Sequence, residues 1–297
     1  MFTALMLLAA MVTTDAAQSQ PAAPDTSGDS AEIVVEANRN RNREIRTFVN
    51  ALTPSRAGGQ LSRFDGSVCP AVTGLSGVQN ERVETRMRDV AKAAGIKTGP
   101  AKCMPNALVI VVENKQQFME ALERKYPAYF ADAVGLTAPI PKEDGPAIAW
   151  HVESLLDSNG IKPRIMKTVD GGLYFVVDSY DSSRVKPAAR PHFVAGTLVV
   201  ERGALRGLTT TQLADYAAMR LFIRTKPERL KQGSAPSILN IIDTEMGASV
   251  PLTMTAWDFA TLKSLYATDP MQFAAQQRVA IVSNVRKELN QGDRPGN

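Results

Sequence analysis

The chain has 297 residues, of which 44% are hydrophobic and 22% are charged, as is ordinary for a soluble globular protein of one large or two small domains. Its net charge of +4 comes from 34 basic and 30 acidic residues, and four arginines between residues 39 and 46 could supply most of the excess. Nucleic-acid binding needs a basic face interleaved with aromatic residues, or a recognisable module. We therefore expect no nucleic-acid partner.

The N-terminus has the pattern of a secretory signal peptide. Residues 4–12 are apolar, and the small residues Thr14 and Ala16 predict cleavage near Ala16 or Ala17. The apolar run is shorter than the roughly 20 residues that a membrane-spanning helix needs. No Lys or Arg precedes it, so the α-amino group alone supplies the positive charge, or the true start lies upstream. We expect a signal peptide over 1–17 and a periplasmic or secreted protein without a transmembrane segment. A buried N-terminal helix is the alternative.

Residues 18–30 are small and polar and predict a disordered linker. The next segment, Glu32-Ile-Val-Val-Glu-Ala-Asn-Arg39, predicts a short strand at the start of the folded domain. The same segment resembles the stretch that follows the signal peptide in many TonB-dependent outer-membrane receptors. A receptor-like docking segment is therefore the alternative interpretation. The arginines from Arg39 to Arg46 predict a solvated tether, or else contact with an anionic surface.

The chain contains two cysteines, Cys69 and Cys103. In an exported protein, such a pair is a candidate for one disulfide. A catalytic or metal-binding thiol is the alternative, but neither cysteine has an adjacent Cys or His, or Cys-x-x-Cys spacing.

The first half of the folded region alternates helices with one strong strand. A short helix is predicted over 45–52, and a longer one begins at Ser76 and ends at Gly95. The β-branched run Ala107–Glu113 predicts a strand, and Asn114 can cap a helix that continues through Lys125. This order indicates a layered arrangement of helices and strands.

The middle of the chain predicts consecutive strands, and the end predicts helices. Short turns between the strands favour antiparallel pairing. The strands cover 147–155, 161–168, 173–178 and 193–201, and the helices cover 210–222, 237–243, 256–266 and 271–289. We predict one α+β domain over 31–290, with a mixed sheet of about five or six strands followed by a helical C-terminal half, and a flexible tail over 291–297.

Two of these helices carry further signals. Thr255 and Asp258 form a predicted capping box, and the apolar positions that follow indicate core packing. The last helix, 271–289, is amphipathic. It docks on the domain in one interpretation, and in the other it lies on a membrane or a partner.

Three segments resemble secreted bacterial zincin-like proteins, including families whose metal motifs have eroded. Residues 199–221 read Val-Val-Glu-Arg-Gly-Ala-Leu-Arg-Gly-Leu-Thr-Thr-Thr-Gln-Leu-Ala-Asp-Tyr-Ala-Ala-Met-Arg-Leu and resemble the strand and active-site helix of that fold. Residues 237–243 and 252–266 resemble its downstream elements. The likeness covers about a third of the chain and implies a zincin-like scaffold.

The resemblance also shows what this chain lacks. In an active zincin, two histidines four residues apart bind zinc, and the glutamate after the first histidine activates water. In this chain, Gln212 stands at the position of the first histidine, Leu213 at that of the glutamate and Tyr216 at that of the second histidine. The only histidines, His151 and His192, have no metal-ligand partner at useful spacing. We therefore predict no metal, no cofactor and no catalytic residue.

The residues at this helix have two interpretations. Thr209 and Gln212 have the spacing of a capping box, which explains Gln212 without any function. In the alternative, Gln212, Asp215, Tyr216 and Arg220 line a vestigial cleft that still binds a peptide or a small ligand. The first interpretation makes these side chains structural, and the second makes them a binding site.

The sequence thus predicts an exported, non-catalytic zincin-like protein that binds a peptide or an envelope protein, or serves as an accessory in the cell envelope. One alternative is a hydrolase that uses a non-zinc site in the same cleft, although the chain has no Gly-x-Ser-x-Gly, phosphate-loop or dinucleotide motif. A second alternative, an accessory to outer-membrane uptake, rests on residues 32–39 alone.

Overall fold

The computed structural model describes residues 27–55, 59–130, 141–177, 187–230, 235–244 and 249–292, with side chains from residue 39 onward. The chain divides into two compact units, residues 1–40 and 41–297. The predicted signal peptide and the residues after 292 lie outside the described part. The predicted boundaries of the signal peptide, linker, domain and tail stay predictions.

The first described element is a long helix, α1 (Ser27–Leu52). The predicted strand over 32–39 is therefore wrong, because those residues are helical. Within the second half of α1, Ile45, Phe48, Val49 and Leu52 are buried at the spacing of one helix face. Once that half is helical, each added residue gains a hydrogen bond without a new nucleation cost, which favours extension towards the N-terminus.

Seven strands are described, and five of them form one mixed sheet. They are β1 (Arg63–Phe64), β2 (Pro70–Thr73), β3 (Ala107–Val112), β4 (Ala147–Asp157), β5 (Arg164–Lys167), β6 (Leu173–Val176) and β7 (Ala189–Glu201). Strands β2, β3 and β7 are parallel neighbours, and β1 also pairs with β7 in parallel. Strand β4 pairs with β7 in the antiparallel direction over 147–157. The predicted mixed sheet of about five strands is confirmed.

Strands β5 and β6 form a separate antiparallel pair, as their short connection predicted. Strand β7 begins earlier than expected, at Ala189, because β4 extends to Asp157 and pairs with these added residues. Strands β1 and β2 were not predicted. Both are short, and their partners lie far away along the chain.

Helices cover the two faces of the sheet. The remaining long helices are α2 (Gly77–Ala93), α3 (Lys115–Lys125), α4 (Thr210–Phe222), α5 (Ala256–Ala267) and α6 (Ala274–Gly292). On β7, Leu198 and Val200 face a large core that includes α2 and α4, while Val199 faces a smaller cluster with Met119 of α3. The alternation of side chains along β7 therefore places helices on both faces of the sheet.

The helical C-terminal part is confirmed, with one exception. The predicted helix over 237–243 is only a single 3-10 turn, Ile238–Asn240. Its start is fixed by the buried Asp258 carboxylate, which accepts hydrogen bonds from the Ser237 hydroxyl (2.6 Å) and the Ile238 amide (2.7 Å). Among the described residues, no helix combines the length and apolar character needed to cross a bilayer.

Candidate functional site

Helix α4 is the element that the zincin resemblance singles out, and it is the most deeply buried helix described. Its residues from Gln212 to Phe222 are all buried. It packs against α2, α5 and the sheet strands β3, β4 and β7. The small side chains of Ala214, Ala217 and Ala218 permit this close approach. The helix is central to the core.

The N-terminus of α4 is closed by the predicted capping box. The Thr209 hydroxyl accepts from the Gln212 amide (3.1 Å), and the Gln212 side-chain oxygen accepts from the Thr209 amide (3.0 Å). The Gln212 side-chain nitrogen donates to the Pro251 carbonyl at 2.8 Å. Both ends of the glutamine amide are thus bonded to the protein itself.

One turn further on, Asp215 is held by a cage of donors. Its carboxylate accepts from Arg86 Nε (2.7 Å) and Nη2 (3.1 Å), which join α2 to α4. It also accepts from the Thr253 hydroxyl (2.6 Å) and the Met254 amide (2.7 Å). The Asp215 side chain is 0% exposed. The hydrogen bond to this carboxylate raises the pKa of Arg86.

Tyr216 and Arg220 form a second buried polar group on the same helix. Arg220 Nη1 donates to the Tyr216 hydroxyl at 2.8 Å, and Nη2 donates to Glu143 Oε2 at 2.5 Å. Burial raises the pKa of Tyr216 to about 12, so the phenol stays neutral at ordinary pH. Arg220 Nε is buried and has no hydrogen-bond partner among the residues that the structure describes.

The two histidines lie in separate surroundings on β4 and β7. His151 is stacked on Phe193 with ring centroids 4.0 Å apart, and its Nε2 lies 3.0 Å from the Leu221 carbonyl oxygen of α4. Burial lowers the pKa of His151 to about 3, which keeps the ring neutral. Partial burial also lowers the pKa of His192. Within the described ranges, no group of three or more His, Cys, Asp or Glu side chains could hold a metal ion.

The predicted cysteine pairing is confirmed, because Cys69 and Cys103 lie at disulfide distance with Cα atoms 5.9 Å apart. Arg88 of α2 donates to the Gly99 carbonyl (2.9 Å) and lies 3.5 Å from Cys103 Sγ. The pair therefore lies beside α2.

The four predicted cleft residues are all bonded to other groups of the protein. Gln212 is bonded at the cap, Asp215 is bonded to Arg86, and Tyr216 is bonded to Arg220. Each of the four is 3% exposed or less. Burial and internal hydrogen bonds of this kind are what the structural interpretation expects, and the binding-cleft interpretation stays a prediction.

Sequence reasoning missed two partners of these residues, Arg86 and Glu143. Neither belongs to a motif, since Arg86 is one of four basic residues on α2 and Glu143 lies just before β4. The one available signal was Asp215 itself, because a carboxylate on a helix rich in apolar residues needs a cation or several donors when it is buried. That signal does not identify the partner.

Comparison of the chain with protein-family models, curated proteins and solved structures finds no match in any of the three. The likeness to zincins therefore rests on the three sequence segments alone.

Proposed function

We propose that this protein is an exported, non-catalytic zincin-like protein that acts in the cell envelope by binding a peptide or another envelope protein. One observation carries the proposal. Where the resemblance implies two metal ligands and a general base, the chain has a capping glutamine, a leucine in the core and a neutral tyrosine bonded to Arg220. A leucine cannot move a proton, and the glutamine and tyrosine already have internal partners.

The geometry of α4 further supports a structural role for that helix. Its polar side chains are buried and bonded to α2, to the segment before β4 and to the segment before α5. A general base must reach the proton that it abstracts, within hydrogen-bond distance or through one water. Binding by this protein is therefore assigned to a surface other than α4.

Metal analysis with a peptidase assay tests the loss of catalysis. We expect the purified protein to contain zinc far below one equivalent and to leave peptide substrates intact, with or without added zinc. Tyr216→Phe is the matched variant, because it keeps the packed ring and removes the hydroxyl. One equivalent of zinc, together with peptidase activity that a chelator and Tyr216→Phe both abolish, overturns the proposal.

Export is supported by the apolar run over 4–12 and by the Cys69–Cys103 pair. Mass spectrometry of protein recovered from the cells that make it should give an N-terminus just after Ala16 or Ala17, in the periplasmic or medium fraction. An intact N-terminus in the cytosolic fraction contradicts this part of the proposal.

A further inference from the structure

The hairpin formed by β5 and β6 exposes apolar side chains outside the core of the protein. The four central ones, Ile165, Met166, Tyr174 and Phe175, are 42% to 47% exposed. Val169 at the turn and Ile161 at the base are still more exposed. An isolated two-stranded hairpin is only marginally stable in water. Several exposed apolar side chains on one short hairpin indicate an interaction site.

Both faces of the hairpin carry exposed apolar side chains. Ile165 pairs with Phe175, and Met166 pairs with Tyr174. Since successive side chains of a strand point to opposite faces, these two pairs lie on opposite sides of the ribbon. A flat protein surface covers one side of such a ribbon, whereas lipid can surround both sides.

Hydrogen bonds at the end of β4 hold the base of the hairpin against the main sheet. Asp157, the last residue of β4, is 3% exposed, and its carboxylate accepts from the amides of Asn159 (2.9 Å) and Ile161 (2.8 Å). The Asp157 amide in turn donates to the Ile161 carbonyl at 2.8 Å. The hairpin therefore begins directly at the rigid end of the β4–β7 ribbon.

The excess of positive charge on the hairpin favours a partner that carries negative charge. Residues 161–177 contain the basic residues Lys162, Arg164 and Lys167, and the single acidic residue Asp170. Two copies of this segment repel each other electrostatically, which disfavours self-association. A bilayer containing anionic lipids attracts it, and long lysine side chains can reach the headgroups while the apolar side chains enter the interface.

We infer that the β5–β6 hairpin is a membrane-surface anchor that inserts into the interfacial layer of a bilayer containing anionic lipids. At that depth the headgroups solvate Asp170 and the lysines, and the apolar side chains leave water. This inference concerns a different surface from α4 and does not depend on the proposed loss of catalysis.

Vesicle flotation tests the anchor. The protein is purified with the N-terminus that mass spectrometry finds in the cells that make it. Vesicles contain either phosphatidylcholine alone or phosphatidylcholine with phosphatidylglycerol. We expect the protein to float with the phosphatidylglycerol vesicles. Ile165→Ser with Phe175→Ser should lower the partition coefficient about tenfold or more, because both side chains lose apolar burial in the interface.

Two further variants complete the test. Lys162→Gln with Lys167→Gln should also lower binding about tenfold, and should remove the preference for phosphatidylglycerol. Leu252→Ser is the matched control, because Leu252 is 80% exposed outside the hairpin and its change should leave binding unaltered. Circular dichroism of every variant checks that the fold is retained.

The opposite results are equally clear. If the wild-type protein floats with neither vesicle, or if the hairpin variants bind as well as the wild-type protein, the anchor is wrong. If light scattering shows a dimer that Ile165→Ser with Phe175→Ser dissociates, the hairpin binds a second copy of the chain, and the membrane assignment is overturned.

Discussion

At the scale of single residues, Asp215 is a fully buried carboxylate that accepts four hydrogen bonds. We expect Asp215→Asn to lower the free energy of unfolding by about 2 kcal/mol, because it removes a buried charge that accepts from Arg86, Thr253 and the Met254 amide. This loss is smaller than the roughly 3 to 5 kcal/mol of a broken, fully buried ion pair, since the Arg86 side chain is 39% exposed and water can solvate it.

Urea denaturation measures this change. Asp144→Asn is the matched control, because Asp144 is exposed and the same substitution there should alter the free energy of unfolding by less than about 0.5 kcal/mol. Equal effects of the two substitutions are incompatible with the cage of donors around Asp215.

The buried neutral ring of His151 predicts a dependence of stability on pH. In the unfolded chain its pKa is near 6.5, whereas in the folded protein burial lowers the pKa to about 3. As the pH falls below 6.5, the unfolded state therefore binds a proton that the folded state does not. Stability should fall by about 1.4 kcal/mol for each pH unit, or about 2 kcal/mol by pH 5.

His151→Gln isolates this contribution, since glutamine can still donate to the Leu221 carbonyl but does not titrate. We expect the urea midpoint of the wild-type protein to fall more steeply than that of the variant between pH 6.5 and about pH 5. Parallel pH profiles for the two proteins contradict the prediction.

At the scale of elements, the sequence predicted best where signals are local. Ser76 and Asn114 cap α2 and α3 as expected, and Thr209 and Thr255 begin α4 and α5. Each cap depends on a side chain and an amide three residues away. The information for a helix start is therefore contained within one turn.

The failures come from long-range contacts. Residues 32–39 have β-branched side chains, but they continue a helix whose buried face begins at Ile45. Strand β1 is two residues long and exists because it pairs with residues 192 and 193 of β7. At the candidate site, capping of Gln212 was predictable, whereas the pairing of Arg220 with Glu143 depends on tertiary packing.

The N-terminal cap of α4 allows a direct test of how much a local hydrogen bond contributes to stability. We expect Thr209→Ala to lower the free energy of unfolding by about 1 kcal/mol, because the Gln212 amide loses its acceptor at the helix start. Thr211→Ala is the matched control inside the first turn, where alanine is the better helix former and no comparable loss is expected. Thermal melts of both variants measure the difference, and equal melting temperatures argue against the cap as a source of stability.

At a larger scale, the described part of residues 41–297 has a mixed sheet with helices on both faces, and α4 lies in the larger core. The cysteine pair links two neighbouring strands of that sheet, since Cys69 precedes β2 and Cys103 precedes β3. A hydrogen bond joins the same two segments, since the Asn106 side-chain oxygen accepts from the Cys69 amide at 2.7 Å. The covalent link thus closes a 34-residue loop that contains the whole of α2.

Closing a loop of this length should stabilise the folded protein by about 4 kcal/mol, because the link removes conformational freedom from the unfolded chain. That is a large share of the roughly 5 to 15 kcal/mol typical of a domain. We expect Cys69→Ser with Cys103→Ser to lower the urea midpoint markedly. Reductant should lower the midpoint of the wild-type protein to the same value and leave the double variant unchanged. A wild-type midpoint insensitive to reductant, with free thiols detected in the folded protein, shows that the fold does not depend on the link, and it removes one of the two observations that support export.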